Sequence, residues 1–203
     1  MKFVLIHGAM GNPEENWFPY FKQSLEAFGQ EVIIPRFPVD TWDEITENGP
    51  KKLPIKQNLA NWLDIFEPIA KRFKKSEKLC FVGHSLGPLF ILHAVSRFDI
   101  QLDSAIFVTP FLDVLHRMWQ IDHVNASFYK TDFDFKKLKE RIPISYTLFS
   151  NNDPYVPLDS NKDFSSRLKS SSIEVCGAGH FNKEFGYTSF PLVIELCKTR
   201  IEG

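Results

Sequence analysis

The sequence predicts an open α/β sheet, mostly parallel and six-stranded, with helices on both faces. Three observations predict it. Six short runs are almost continuously apolar or β-branched, as in strands buried on both faces. Helical patterns lie between most of these runs, and such alternation implies right-handed crossovers in one sheet. The chain has 203 residues, 43% of them hydrophobic, which suits one domain over 1–203 with a sizeable core.

The first run is Phe3 to Ile6. A glycine-bearing loop, His7-Gly8-Ala9-Met10-Gly11-Asn12, follows, then a helical pattern from Asn16 to Phe28. The second run, Val32 to Pro35, leads into Phe37 to Lys56, which is rich in Asp, Glu, Pro and Gly and has no strand pattern. Leu59, Trp62, Leu63, Phe66, Ala70 and Phe73 then mark one face of a helix. Pro68 is expected to kink or interrupt it. The basic run Lys71-Arg72-Phe73-Lys74-Lys75 reads as its solvated end, where cations suit the helix dipole.

The third run, Leu79 to Val82, meets Gly83-His84-Ser85-Leu86-Gly87 and a helix from Leu86 to Phe98. The fourth, Ala105 to Val108, opens a long connection, Pro110 to Pro143. This connection carries Phe111, Trp119, Phe128, Tyr129, Phe133 and Phe135. A long connection above the carboxyl edge of a sheet often covers a site. It is expected to line a pocket or to form the core of a short cap within 110–143. The fifth run is Ile144 to Phe149, with a helix from Asn161 to Leu168 beyond it. The sixth is Ile173 to Cys176, followed by a helix from Ser189 to Arg200.

Bulk properties exclude several functions. A net charge of −1 gives no electrostatic reason to expect nucleic acid or an anionic membrane as partner. No stretch approaches the roughly 20 apolar residues of a membrane span. The apolar run at the amino terminus is too short for a signal peptide. Cys80, Cys176 and Cys197 read as buried thiols in a reducing compartment, so a cytoplasmic location is expected. They have no zinc spacing, and the first loop lacks G-x-G-x-x-G, so neither metal nor cofactor is expected. Asn125-Ala126-Ser127 fits a glycosylation sequon and is read as coincidence. The sequence identifies no protein partner.

The chemistry begins at Ser85. Strand, sharp turn and helix hold such a serine at an apex, its hydroxyl clear of the sheet. A serine hydroxyl needs a base to take its proton, and the base needs a carboxylate to fix its tautomer. His180, in Gly177-Ala178-Gly179-His180-Phe181 after the last strand, is the candidate base. His93 reads as a packed helix residue. Asp153, in Asn151-Asn152-Asp153-Pro154 after the fifth strand, leads as the acid. The following proline biases it to an extended backbone. A turn aspartate bonding its own backbone is the alternative reading. Asp113 is its main rival for the acid role, and Asp159 reads as a residue near a helix start. The oxyanion needs two backbone donors. Leu86, after the nucleophile, is one; Ala9 is the first choice for the other, and Met10 the second. Met10, Phe111 and Trp119 are expected to bind substrate.

These segments together resemble the α/β-hydrolase superfamily. The match is to its small single-domain serine hydrolases, the retinoblastoma-binding protein 9 and YdeN family. It rests on His7-Gly8 with Gly11-Asn12-Pro13, and on Asn16-Trp17-Phe18-Pro19. It rests also on Gly83-His84-Ser85-Leu86-Gly87, Asn152-Asp153-Pro154-Tyr155-Val156-Pro157 and Gly177-Ala178-Gly179-His180-Phe181. The resemblance implies a minimal three-layer fold and hydrolysis of a small apolar ester or amide. It places nucleophile, acid and base on Ser85, Asp153 and His180. Retinoblastoma-protein binding is not implied, since no L-x-C-x-E segment occurs. Pro88 departs from the pattern, but a missing N–H in a first helical turn costs little. The alternative is a protein-interaction module on an inactive or incidentally active hydrolase scaffold.

Overall fold

The computed structural model describes residues 1–201. Its six strands are β1 (Lys2–Ile6), β2 (Glu31–Ile33), β3 (Leu79–His84), β4 (Ser104–Val108), β5 (Ile144–Phe149) and β6 (Ser171–Glu174). They form one sheet in the order β2-β1-β3-β4-β5-β6, and every neighbouring pair is parallel. The eight α-helices are α1 (Phe18–Ala27), α2 (Trp42–Asn48), α3 (Leu59–Ala70), α4 (Leu86–Phe98), α5 (Trp119–Asn125), α6 (Phe135–Arg141), α7 (Leu158–Leu168) and α8 (Pro191–Ile201).

The continuous apolar strands have a plain structural use. Side chains alternate across a strand, so Val4 and Ile6 face one core while Phe3 and Leu5 face the other. The first core holds Trp62 and Phe66 of α3, much of α4, Leu138 of α6 and Phe164 of α7. The second holds Phe18, Phe21 and Leu25 of α1 with Val193, Ile194 and Cys197 of α8. The sheet is the middle of three layers, as expected.

Several expectations need correcting. Pro68 does not interrupt α3, because it lies in the last turn, two residues before the helix ends at Ala70. β6 begins two residues before the apolar run, at Ser171. It is an edge strand, paired through its backbone to Tyr146, Thr147, Leu148 and Phe149. Cys176 therefore falls beyond the strand and is exposed, whereas Cys80 and Cys197 are buried. Burial, and after it contact with Cys80, raises the Cys197 thiol pKa. The strandless stretch Phe37 to Lys56 contains α2, opened by a capping box between Thr41 and Glu44. The long connection contains α5 and α6. Among the described residues, no helix is long and apolar enough to cross a membrane.

Candidate active site

The strand order reverses direction between β1 and β3, since the chain builds β2 outside β1 before returning to start β3 on the other side. Loops leaving the carboxyl ends of strands at such a switch point part to form a crevice. The β1 loop carries Ala9 and Met10, and β3 delivers Ser85 directly into α4.

Ser85 occupies a left-handed backbone position, φ 60° and ψ −107°, costly for a residue with a Cβ. Its N–H donates to the Val108 carbonyl at 2.9 Å, which ties the turn to the end of β4. The flanking glycines permit a close approach. A Cβ at Gly87 would stand 2.3 Å from the Ile6 carbonyl oxygen, and one at Gly83 would stand 2.5 Å from the Pro88 nitrogen. The elbow closes only where both side chains are missing.

Asp153 has no exposed side-chain surface. Its Oδ1 accepts the N–H groups of Tyr155 at 2.9 Å and Val156 at 3.1 Å. This is the self-bonded turn of the alternative reading. Its other oxygen, Oδ2, lies 2.8 Å from Nδ1 of His180. The aspartate thus serves both geometries at once, one oxygen for each. His180 is 7% exposed, with the Tyr155 ring edge-on to it at 5.0 Å. Ser85 and His180 line one cavity of about 240 Å³, together with Ala9, Met10, Trp42, Leu115, Ile121, Tyr155, Val156 and Asn182. Larger clefts of about 520 and 590 Å³ hold none of these residues.

The loop bearing His180 is held at many points. Asn151 Oδ1 accepts the Gly177 N–H at 3.0 Å, Ser150 Oγ that of Ala178 at 3.0 Å, and Asn152 Oδ1 that of Gly179 at 2.8 Å. The Trp17 indole donates to the Phe181 carbonyl at 3.0 Å. His84 Nε2 lies 2.8 Å from the His180 carbonyl oxygen. Burial, followed by the neighbouring His180, lowers the His84 pKa to about 3. Burial likewise lowers His7 to about 4. Its Nδ1 faces the Gly8 carbonyl at 2.8 Å while its Nε2 accepts the Phe37 N–H at 3.3 Å. Only the neutral ring can do both.

Leu86 follows Ser85 in the chain, and Ala9 and Met10 line the same cavity as Ser85. Leu86 is the first residue of α4, so its N–H has no carbonyl one turn back in the helix. The Ala9 N–H has no hydrogen-bond partner among the described residues. The Met10 N–H is occupied, donating to Gln57 Oε1 at 2.8 Å.

The other sequence-derived candidates are placed differently. Met10 lines the cavity. Phe111 does not; it is fully buried in the first core, its ring 6.2 Å from Tyr129. Trp119 is 40% exposed and packs against His123, outside the cavity wall. An aromatic-rich connection signals apolar packing without saying which surface each ring covers. Leu115 and Ile121 are what the connection contributes to the wall. Asp113 accepts the Val114 N–H, and Asp159 lies in the first turn of α7. His93 donates to the Phe128 carbonyl at 2.7 Å, as a packed helix residue would. Asn125 of the sequon is 1% exposed. Among the described residues, no group of three or more His, Cys, Asp or Glu is placed to hold a metal ion.

Comparison with known proteins gives a consistent picture. The family model described as serine hydrolase matches residues 3–199. YdeN of Bacillus subtilis (strain 168) is 27% identical over 194 residues, covering 95% of this chain and 92% of that protein. The crystal structure of the ydeN gene product from B. subtilis superposes with a TM-score of 0.82 at 25% identity, covering 100% of this chain and 99% of that one. Est1E from Butyrivibrio proteoclasticus, solved also with ferulic acid bound, shares the fold at lower identity. In that complex the TM-score is 0.63 at 16% identity, covering 98% of this chain and 87% of the other.

Proposed function

The chain belongs to the serine hydrolase family, and from that premise we propose that it cleaves a small apolar carboxylic ester or amide through an acyl-enzyme on Ser85. The observation that carries this reading is the 2.8 Å contact between His180 Nδ1 and Asp153 Oδ2 at the wall of a cavity that Ser85 also lines.

The proposed steps assign a role to each residue. Ser85 Oγ attacks the substrate carbonyl carbon while His180 Nε2 takes its proton. Asp153 keeps the other ring nitrogen protonated and stabilises the imidazolium. The Leu86 and Ala9 N–H groups stabilise the oxyanion. His180 then protonates the leaving group, which departs. Water attacks the acyl-enzyme, gives a proton to His180, and the acid leaves as Ser85 regains its hydrogen.

The cavity supports the substrate class. Met10, Trp42, Leu115, Ile121 and Val156 make it largely apolar, and no Lys, Arg, Asp or Glu lines it. A neutral acyl or aryl group fits such a wall. The ferulic acid held by Est1E is a ligand of comparable kind on the same fold. A reducing, cytoplasmic setting suits the three unpaired cysteines.

A fluorophosphonate probe tests the reading. It should label Ser85 in the folded wild-type protein. Ser85→Ala should abolish labelling and lower kcat by roughly 10⁴ to 10⁶ while leaving the melting temperature nearly unchanged. Folded wild-type protein that resists the probe would remove the reading.

A further inference from the structure

Gln57 has no exposed surface, yet it sits in a loop with no regular secondary structure. A side-chain amide kept from water is costly unless its polar atoms find partners. Gln57 finds them on the cavity-lining loop after β1 and on α5, the helix that brings Ile121 to the cavity. Its Oε1 accepts the Met10 N–H at 2.8 Å, and its Nε2 donates to Asn125 Oδ1 at 3.1 Å. Its own N–H donates to Asp40 Oδ2 at 2.8 Å. The same carboxylate takes the N–H groups of Lys56 at 2.9 Å and Ile55 at 3.4 Å. The backbone of the segment is therefore anchored, and the side chain is fixed between its two partners.

Those partners matter. Met10 lines the cavity beside Ala9 and has φ 55°, a left-handed conformation that a non-glycine residue keeps only when its surroundings enforce it. Asn125, itself 1% exposed, ends α5, the helix that brings Ile121 to the same cavity.

We propose that Gln57 is a positioning residue for the oxyanion loop. It occupies the Met10 N–H, leaves the adjoining Ala9 N–H as a free donor, and fixes the loop relative to the wall built on α5. The inference rests on the serine hydrolase reading and deepens it. It assigns the second oxyanion donor through a side chain that does not touch the substrate. Removing Oε1 releases the Met10 N–H and lets the loop shift, carrying with it the adjoining Gly8–Ala9 peptide that bears the Ala9 N–H. That misplaces a donor needed most in the transition state, so kcat falls while ground-state binding persists. A misplacement of about 1 Å can cost on the order of 100-fold.

The test uses Gln57→Met, which keeps the volume and removes both polar links, and Gln57→Glu. A protonated, buried glutamic acid can accept from Met10 and donate to Asn125. Wild-type protein is first labelled with fluorophosphonate; if Ser85 does not react, the enzyme reading falls and this inference with it. Once labelling is established, three quantities are measured for each variant: kcat and KM for an acetyl ester, affinity for a trifluoromethyl ketone that adds to Ser85, and affinity for an alcohol of the same shape. Gln57→Met should lower kcat and ketone affinity in parallel by roughly 10- to 100-fold, with KM and alcohol affinity within about threefold. Gln57→Glu should recover most of the loss at pH 6 to 7. Should Gln57→Met not fold, Asn125→Leu cuts the outer link alone and should show the same split at about 3- to 10-fold. Unchanged kcat in these variants, or ketone and alcohol affinities falling together, overturns the proposal while leaving the labelled serine in place.

Discussion

The imidazole of His84 holds the main chain of His180: its Nε2 stands 2.8 Å from the His180 carbonyl oxygen, and the two rings are 4.9 Å apart. The residue before the candidate nucleophile thus anchors the candidate base. To donate this bond, Nε2 must carry hydrogen, and burial keeps the ring neutral with a pKa of about 3. A neutral His84 also spares the His180 imidazolium a like charge close by.

Acid stability should reflect this. His84 and His7 both have folded pKa values below 6.5, at about 3 and about 4. As pH falls below 6.5, the unfolded chain takes up these protons first, so stability drops. Each histidine contributes up to about 1.4 kcal/mol per pH unit until its folded form also protonates. The stability they support is complete above about pH 6.5 and fades below it. His84→Gln keeps a donor for the His180 carbonyl and removes one titration. Urea unfolding between pH 7.5 and 4.5 should show a shallower acid slope for the variant. Equal slopes would mean that His84 titrates alike in both states.

Asp153→Asn should separate catalysis from folding. The amide oxygen can still accept the Tyr155 and Val156 N–H groups, which Asp153 Oδ1 accepts now. The amide nitrogen would face His180 Nδ1 and favour the wrong tautomer. We expect kcat to fall by about 10⁴, with the melting temperature within a few degrees of wild type. A tenfold loss or less would leave the carboxylate without an essential role.

The placement of Ser85, Asp153 and His180 beyond strand ends was legible because each follows a strand, in a segment whose own residues announce a turn. Glycines flank Ser85 and precede His180, and Pro154 follows Asp153. The sheet was legible because two-sided burial leaves continuous apolar runs. β6 was harder, since its Ser171 and Ser172 join the sheet by main-chain bonds that carry no apolar signal. Phe111 and Trp119 were misplaced because aromatic content does not tell core from cavity wall. Gln57 was invisible for another reason. Its partners lie 47 and 68 residues away, and no local pattern marks a glutamine for such a role.

Acyl-chain preference should follow the small cavity of about 240 Å³. Acetyl and butyryl esters should be turned over with higher kcat/KM than octanoyl esters. Ile121 is half-buried on the wall, so Ile121→Ala should move the optimum toward longer chains and Leu115→Phe toward shorter ones. One methylene in an apolar pocket is worth roughly 10- to 200-fold in kcat/KM at most. A chain-length profile that neither variant shifts would show that the acyl group lies elsewhere.

Asn152 offers a test of the loop that carries the base. Its Oδ1 accepts the Gly179 N–H at 2.8 Å and the Ser150 hydroxyl at 2.7 Å. Ser150 Oγ accepts the Ala178 N–H in turn, so one asparagine locks two consecutive peptides just before His180. Asn152→Ala removes an acceptor shared by two donors and leaves the Gly179 N–H dependent on water. Asp153 stays in place, because its own bonds to Tyr155 and Val156 do not pass through Asn152. The imidazole should then sample positions away from its 2.8 Å contact with Asp153 Oδ2. We expect kcat to drop by roughly 10- to 100-fold with KM little changed. Amide exchange at 178–180 should quicken while exchange in β5 does not. Faster exchange with unchanged kcat would show that the histidine is held by His84 and Asp153 alone.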